Sequence, residues 1–370
     1  MQHTLLAPQE AAAHLTPQVW CAANRMLVRK AIAEYAHERI VEPQRTGDAA
    51  GNGYARYELK SDDGARLYTF EARLLALRHW SIRPETIVCT RDGAEQALDA
   101  LAFILDVKAR LGIKEEMLPI YLDEISSTLY GAAYKAVKAG PDTPELLNAD
   151  FQAIETAMSE GHPGFVANNG RLGFDAGDYR AFAPEAASAI QVIWLAVHKD
   201  NAAFHCAEDL DYEQLMNEEL GAQTIARYKA TVESHGCNFD DYHLMPAHPW
   251  QWFNKLSIAF AAYVATNRII CLGYGDDRYL AQQSIRTFFN VSDRSKRYVK
   301  TSLSILNMGF MRGLSPYYMS GTPAINDFIK GMVANDPYLQ SKGFTILREV
   351  ASMGFRNRYY EAAVQADTPY

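Results

Sequence analysis

The chain has 370 residues, of which 48% are hydrophobic and 22% are charged, and its formal net charge at pH 7 is −8. This length is more than one hydrophobic core usually serves, so we expect two domains. The acidic balance argues against a general nucleic-acid-binding protein. No apolar run reaches the roughly 18 residues of a membrane span, and the first residues do not have the pattern of a signal peptide. The five cysteines are scattered without a CxxC pair, which favours a reducing cytoplasm.

The first half of the chain is predicted to be mainly helical. One helix begins after Thr16, which is in the N-cap position, with Pro17 in the first turn. The alternating segment 54–72 surrounds an Asp-Asp-Gly turn and predicts a β-hairpin. Three further helices are predicted over residues 93–111, 115–139 and 143–159.

The second half is predicted to be rich in antiparallel strands. Residues 188–198 have the pattern of a buried strand, and residues 212–236 that of a long helix. Further strands are predicted over residues 267–275, 279–291, 297–310 and 343–352, with a polar turn at 292–296 and a helix at 325–335. The sequence therefore predicts an α+β protein, with a helical domain over 1–183 and a β-rich domain over 184–370.

Residues 284–312 concentrate positive charge, with six basic residues against one acidic residue. Three of the basic residues belong to the predicted turn, where solvation accounts for them: Arg294, Lys296 and Arg297. The other three lie in apolar strands, where an unpaired charge costs several kcal/mol. Those three are Arg286, Lys300 and Arg312. Either they pair with acidic residues of the protein or they bind an anion.

The segment QSIRT favours the second alternative. Ser284 and Arg286 are two residues apart, so they are predicted to share one face of a strand. A hydroxyl group beside a guanidinium fork suits the oxygens of a phosphate. Thr287, Lys300 and Thr301 add hydrogen-bond donors nearby.

A second candidate is the loop EGHPGFVANNGRLGF, residues 160–174. Pro163 restricts the backbone of His162. The run Asn168-Asn169-Gly170 tolerates left-handed conformations, which can turn successive N–H groups towards an anion. The alternative is a tight surface turn whose histidine is satisfied locally. The loop has the pattern of neither a P-loop nor a dinucleotide-binding fingerprint.

The stretch MPAHPWQW is predicted to be a packed corner around His248. His198 and His205 lack the spacing of metal ligands, so we expect no metal site built from protein side chains alone. The sequence contains no GxSxG motif, and no cysteine has a local nucleophile signature.

Five stretches, taken in their order, resemble the family of the aerobactin synthetases (IucA/IucC), which are siderophore synthetases independent of nonribosomal peptide synthetases. The stretches are GHPGFVANNGRLGF, PAHPWQ, QSIRT, KTSLSILNMGFMRGLS and TPAINDF. The resemblance is strong from about residue 155 to the end of the chain. It implies a ligase that uses ATP and Mg²⁺ to adenylate a carboxylate. An amine or hydroxylamine then attacks, giving an amide, with AMP and diphosphate released. It also implies a cytoplasmic homodimer that acts on small molecules, without nucleic acid or membrane partners.

Two departures within the first motif resemble one branch of the family. Phe165-Val166 and Asn169 stand where citrate-using branches typically carry a second His-Pro and a lysine. This variant resembles the branch that makes hydroxamates such as desferrioxamine, putrebactin and alcaligin. The implied substrate is an N-hydroxy-N-succinyl diamine.

The resemblance also implies roles for the cationic stretch. Ser284, Arg286 and Thr287 would hold phosphate oxygens, and Lys300 would neutralise charge on the α-phosphate. Arg312 would lie between the phosphate and the substrate carboxylate. Since ATP and a carboxylate repel each other, fixed cations are the natural means of bringing them together.

The loop residues have implied roles as well. His162, Asn169 and Arg171 would close over the triphosphate and so belong to the ATP-binding set. The catalytic residues implied by the resemblance are Lys300, Arg312 and His162.

Family members are longer, with three parts likened to thumb, fingers and palm. Residues 1–183, ending in the GHPGFVANNGR loop, are predicted to be thumb-like, and residues 184–370 to be the fingers-like ATP-binding domain. The sequence has no His-Gly-Gln-Asn stretch like that of the palm, so we expect the palm to be absent and this chain alone to be inactive. The alternatives are a phosphotransferase of another class and a non-catalytic nucleotide-binding or assembly fragment.

Overall fold

The computed structural model describes residues 6–51, 53–138, 140–365 and 368. The chain divides into two compact units, which are Met1–Tyr179 with Ile305–Met311, and Arg180–Ser304 with Arg312–Tyr370. The assignment of a thumb-like and a fingers-like domain stays a prediction. The first five residues and the predicted helix end at residue 139 lie outside the described residues.

The first unit opens with helix α1 (Pro17–His37). The Thr16 hydroxyl accepts a hydrogen bond from the Val19 N–H, which confirms the predicted N-cap. Val28 and Ile32 of α1 are fully buried in the core of this unit. The other helices are α2 (Ala100–Asp106), α3 (Lys108–Leu111), α4 (Leu118–Val137), α5 (Thr143–Leu146) and α6 (Phe151–Ala157), while α7 (Ala176–Phe182) contains the boundary to the second unit.

An antiparallel sheet of six strands packs in the same core, in the order β1-β2-β3-β5-β6, with β4 paired to β3. The strands are β1 (Gln44–Asp48), β2 (Ala55–Lys60), β3 (Arg66–Leu74), β4 (Trp80–Ile82), β5 (Val88–Arg91) and β6 (Ala94–Gln96). The predicted hairpin is confirmed as β2 and β3, with Ala55 opposite Ala72. The sheet is larger than that one hairpin.

Two predicted helices are shorter or broken. Residues 94–96 are a strand, because Asp92 and Gly93 have φ of 52° and 76° and form a two-residue hairpin turn. The predicted helix over 143–159 is split into α5 and α6, since the Asp150 carboxylate caps a new helix by accepting from the Ala153 N–H at 2.8 Å.

The second unit contains three small antiparallel sheets with the orders β10-β7-β9, β11-β12-β13 and β16-β8. Their strands are β7 (Ile193–His198), β8 (Ala202–Cys206), β9 (Tyr242–Ala247), β10 (Ile269–Tyr274), β11 (Tyr279–Ala281), β12 (Thr287–Asn290), β13 (Val299–Lys300) and β16 (Ala351–Phe355). A further hairpin pairs β14 (Leu303–Asn307) with β15 (Phe310–Arg312). Ile193, Leu195 and Ile269 lie in the core of the first sheet.

Helices flank these sheets. They are α8 (Tyr212–Ser234), α9 (Pro249–Gln251), α10 (Ser257–Ala259), α11 (Ala261–Ala265), α12 (Pro316–Ala334), α13 (Pro337–Ser341) and α14 (Arg358–Ala363). The predicted strand over 343–352 is wrong for most of its length, because regular pairing begins only at Ala351. The α+β class is confirmed.

Two further findings concern membrane-spanning helices and the cysteines. No helix within the described ranges is both long enough and apolar enough to cross a bilayer. All five cysteines are free thiols.

Candidate functional site

Residues 283–286 form a tight loop between β11 and β12, not the predicted strand. The loop is closed by the Gln282 N–H, which donates to the Thr287 carbonyl oxygen at 2.8 Å. Within it, the Ser284 hydroxyl oxygen accepts from the Thr287 N–H at 3.1 Å. The expectation that Ser284 and Arg286 share a strand face is therefore wrong. The loop nevertheless keeps both side chains next to Thr287.

The centre of this loop is strained. Ile285 has φ of 65°, in the left-handed region that a β-branched side chain rarely adopts. Its side chain is buried, so packing holds the backbone in this conformation. Strain of this kind costs about 1–3 kcal/mol and is found most often where a loop binds a ligand.

Arg286 connects the loop to the end of β15. Its Nη1 donates to the carbonyl oxygens of Arg312 at 3.0 Å and of Gly313 at 2.8 Å. Burial lowers the pKa of the Arg286 guanidinium, the Arg312 cation lowers it further, and Glu349 acts in the opposite direction. Two guanidinium groups in one partly buried place repel each other, and a bound anion would relieve that repulsion.

Lys300 lies opposite Thr287 in the β12–β13 pair. Its Nζ is 2.8 Å from Glu349 Oε1, so acid pairing describes Lys300 in this structure. The two side chains are 42% and 48% exposed, and an ion pair this exposed contributes about 0–1 kcal/mol. Such a weak pair does not prevent Lys300 from binding a stronger anion.

Thr301, which follows Lys300, has a buried hydroxyl group. Thr301 is 4% exposed, and its N–H donates to the Arg286 carbonyl oxygen at 2.9 Å. No residue of the described part provides a hydrogen-bond partner for the Thr301 hydroxyl. The backbone bond holds Thr301 next to the loop that carries Arg286.

The structure thus brings together five of the predicted residues in the second unit, and these residues are suited to hold the phosphates of ATP. They are Ser284, Arg286, Thr287, Lys300 and Arg312, which we call the cationic loop site. The other three predicted residues, His162, Asn169 and Arg171, lie in the first unit.

The loop at 160–174 has an exposed first part with local hydrogen bonds and a buried second part. The His162 ring is exposed, its Nδ1 accepts from the Gly164 N–H at 3.2 Å, and it makes an edge contact with Phe165. Asn168 donates from Nδ2 to the His162 carbonyl oxygen at 3.2 Å. His162 is therefore held in place by its own loop, with its ring accessible.

Asn169 and Arg171 are buried in the first unit. The Arg171 N–H donates to the Ser127 hydroxyl at 2.9 Å, and its guanidinium lies 5.2 Å from the Tyr179 ring centre. Their proposed closure over a triphosphate stays a prediction.

Residues that the sequence did not indicate hold this loop from two sides. Lys30 is buried on α1 and donates from Nζ to the Pro163 carbonyl oxygen at 3.0 Å. Asn307 donates to the Gly170 carbonyl oxygen from the segment 305–311. One signal in the sequence could have indicated this contact, because Lys30 is a charged residue on the apolar face of an amphipathic helix.

Gly161 makes the loop sensitive to a single methyl group. A Cβ at 161 would lie 2.7 Å from the Asn168 carbonyl oxygen, whereas a Cβ at 164 would meet its nearest neighbour at 3.7 Å. We expect Gly161→Ala to lower the free energy of unfolding by about 1–2 kcal/mol through this overlap. Gly164→Ala is the matched control and should change it by less than about 0.5 kcal/mol. Urea unfolding measures both, and equal shifts would show that the close approach is not real.

The stretch PAHPWQ forms the packed corner that was predicted. His248 is fully buried between the rings of Phe182 and Phe288, and its Nδ1 accepts from the Trp250 N–H at 3.0 Å. Gln251 holds Ser304 at the start of β14. Its Oε1 accepts from the Ser304 N–H at 2.7 Å, and its Nε2 donates to the Ser304 hydroxyl at 2.9 Å.

Burial lowers the pKa of His248 to about 3, so the native protein keeps this ring neutral. The unfolded chain, with a histidine pKa near 6.5, binds a proton that the native state excludes. This contribution to the free energy of unfolding is therefore fully present above pH 6.5. It is lost as the pH falls towards 3, with a slope of up to about 1.4 kcal/mol per pH unit. His248→Asn keeps a cap acceptor but removes this slope, while the exposed-site control His235→Asn retains it. Unfolding free energies from pH 4 to 7 test this, and an unchanged slope in His248→Asn would contradict it.

The expectation of a merely solvated turn at 292–297 is wrong for two of its cations. Lys296 Nζ lies 2.6 Å from Asp277 Oδ2, and Arg297 pairs with Glu218 and Glu219 at 2.6 and 2.9 Å. These acidic partners lie in other parts of the chain, so the charge of the turn alone could not indicate them.

Residues 150–368 match the IucA / IucC family model. The chain is 48% identical to the putrebactin synthase of Shewanella sp. (strain MR-4), over 97% of this chain and 56% of that protein. It is 28% identical to the aerobactin synthase of Escherichia coli, over 95% of this chain and 58% of that protein.

Among solved structures, the petrobactin biosynthesis protein AsbB from Bacillus anthracis str. Sterne superposes with a TM-score of 0.83 at 26% identity. The match covers 95% of this chain and 59% of that one. The chain therefore spans a little over half the length of the relatives it matches.

Proposed function

Because the chain belongs to the IucA/IucC family, we propose that it supplies the nucleotide-binding part of an ATP-dependent ligase that forms an amide during hydroxamate siderophore synthesis. The observation that carries the proposal is the cationic loop site, where Arg286 binds the Arg312 and Gly313 carbonyl oxygens and Lys300 lies opposite Thr287. This site lies within the residues that match the family.

The proposed roles follow from what each side chain offers. Arg286 presents a planar fork, while Ser284 and Thr287 present hydroxyl groups, and these groups suit phosphate oxygens. Lys300 neutralises charge at the α-phosphate, and Arg312 holds the substrate carboxylate close to it. ATP, accompanied by Mg²⁺, supplies the adenylyl group that activates the carboxylate and leaves as AMP once the amine has attacked. Preorganised cations favour this encounter of two anions without reorganising during the reaction.

The proposed substrate is the carboxylate of an N-hydroxy-N-succinyl diamine, condensed with an amine. Two observations support this choice. Phe165-Val166 and Asn169 occur in place of the second His-Pro and the lysine of citrate-using branches. The putrebactin synthase of Shewanella is 48% identical to this chain over 97% of this chain and 56% of that protein.

The proposal extends to compartment and assembly. The five free thiols support a reducing compartment, and we place the protein in the cytoplasm as a homodimer. The thumb-like and fingers-like assignments of 1–183 and 184–370 are part of the same proposal. Because the chain spans little more than half the length of its relatives, the complete reaction is proposed for a protein of their full length.

The experiment uses a chimera in which this chain replaces the matching part of the Shewanella putrebactin synthase. Hydroxylamine trapping with ATP measures activation of each candidate acid by the chimera and by this chain alone. We expect the N-hydroxy-N-succinyl diamine to be activated by the chimera and citrate not to be. The same chimera carrying Arg286→Ala is the control for the site. Efficient use of citrate would contradict the proposed branch.

A further inference from the structure

Glu349 holds an alkylammonium group in this structure. Its Oε1 lies 2.8 Å from the ε-ammonium of Lys300, at the end of a four-carbon chain. The terminal ammonium of an aliphatic diamine has the same charge, the same three donors and the same flexible stem. The Lys300–Glu349 pair is therefore a model, within the protein, of a carboxylate bound to a diamine.

Lys300 has two competing anionic partners if phosphate binds to the cationic loop site. A phosphate carries more charge than one carboxylate and offers several acceptor oxygens, so it is the stronger partner for a half-exposed lysine. Because Lys300 belongs to the cationic loop site, its 2.8 Å contact with Glu349 places this carboxylate at the edge of the site. When phosphate draws Lys300 away, Glu349 loses the partner that it has here.

The backbone around Glu349 is anchored, although it lies outside any strand. The Glu349 N–H donates to Asn326 Oδ1 at 3.1 Å. Next to it, Arg348 binds Asp327 at 3.0 Å and Asp209 at 2.9 Å. The bonds to Asn326 and Asp327 tie the segment to α12, so the backbone that carries the Glu349 side chain is held independently of Lys300.

We propose that Glu349 binds the terminal ammonium of the amine substrate after phosphate has taken over Lys300. Glu349 is then a recognition residue for the second substrate, and nucleotide binding prepares its site. This inference rests on the proposed function, because it requires phosphate at the cationic loop site.

The test is calorimetry on this chain with pyrophosphate and 1,4-diaminobutane as probes. Pyrophosphate should raise the affinity for the diamine by about fivefold or more, and by linkage the diamine should raise the affinity for pyrophosphate by the same factor. Glu349→Gln should abolish this coupling and should tighten pyrophosphate binding by itself, because Lys300 is released. The matched control is Glu361→Gln, which removes an exposed carboxylate 3.2 Å from Arg356 in the same unit and should leave the coupling intact.

The outcomes separate the two proposals. Coupling that persists in Glu349→Gln overturns the inference, since it would come from pairing of the two probes with each other or from another carboxylate. Pyrophosphate binding without any diamine coupling in the unmodified chain overturns the inference and leaves the phosphate site standing. Absence of pyrophosphate binding overturns the phosphate site and this inference with it.

Discussion

Arg286→Lys should weaken binding of ATP or pyrophosphate to this chain by about ten- to a hundredfold. The substitution keeps the positive charge but loses the planar fork, and each charge-assisted hydrogen bond is worth about 1.5–3 kcal/mol. It also removes the donor that Arg286 presents to the Arg312 and Gly313 carbonyl oxygens, which shape the far side of the site. Isothermal titration calorimetry measures the change in affinity.

The matched control is Arg227→Lys. Arg227 Nη2 donates to both carboxylate oxygens of Asp276 at 2.9 Å, and Arg227 belongs to the same unit. Its replacement should leave the affinity for phosphate compounds unchanged. If Arg286→Lys, or Arg286→Ala, binds nucleotide as the unmodified chain does, the assignment of Arg286 to phosphate is wrong.

Gln251→Leu should lower the free energy of unfolding by about 2–3 kcal/mol. Gln251 is buried and satisfies the Ser304 N–H and hydroxyl together, and leucine satisfies neither. A buried polar group without a partner costs about 1–3 kcal/mol. Because β14 starts at Leu303, this pair anchors the first residues of β14.

Two variants separate this effect from a general loss of packing. Ser304→Ala keeps the backbone bond to Gln251 Oε1, so it should cost less than Gln251→Leu. Gln214→Leu removes an exposed bond to Glu218 at 2.8 Å and should change stability by less than about 0.5 kcal/mol. Urea unfolding of the three variants gives the order, and a cost for Gln251→Leu as small as that of Gln214→Leu would contradict the account.

The parts of the fold that local chemistry determines were predictable from the sequence. The Thr16-Pro17 start of α1 and the Asp-Asp-Gly hairpin between β2 and β3 both follow from capping and turn preferences of adjacent residues. Asp92-Gly93 is a turn signal of the same kind, and it marks a hairpin within the segment 93–111 for which a helix was predicted. The Ser284–Arg286 loop was not predictable, since tertiary packing holds Ile285 at a φ that its side chain disfavours.

Part of the candidate site could be predicted from the sequence, and part could not. The residue types that suit phosphate occur within two short stretches, so Ser284, Arg286, Thr287, Lys300 and Arg312 were found from sequence. Their partners were not, because Glu349 is 49 residues from Lys300 and the carbonyl groups that Arg286 reaches are contributed by another strand. Sequence patterns do not indicate an ion pair between residues this far apart, and so they do not indicate the proposed amine site.

The reaction products from ATP test the central claim most directly. In the chimera with the Shewanella putrebactin synthase, phosphorus NMR can follow ATP in the presence of an N-hydroxy-N-succinyl diamine. An amide-forming ligase that activates its acid as an adenylate yields AMP and diphosphate in equal amounts, and we predict this result, lost in the Arg286→Ala chimera. Formation of ADP together with a phosphorylated substrate instead would contradict the account and would indicate a phosphotransferase.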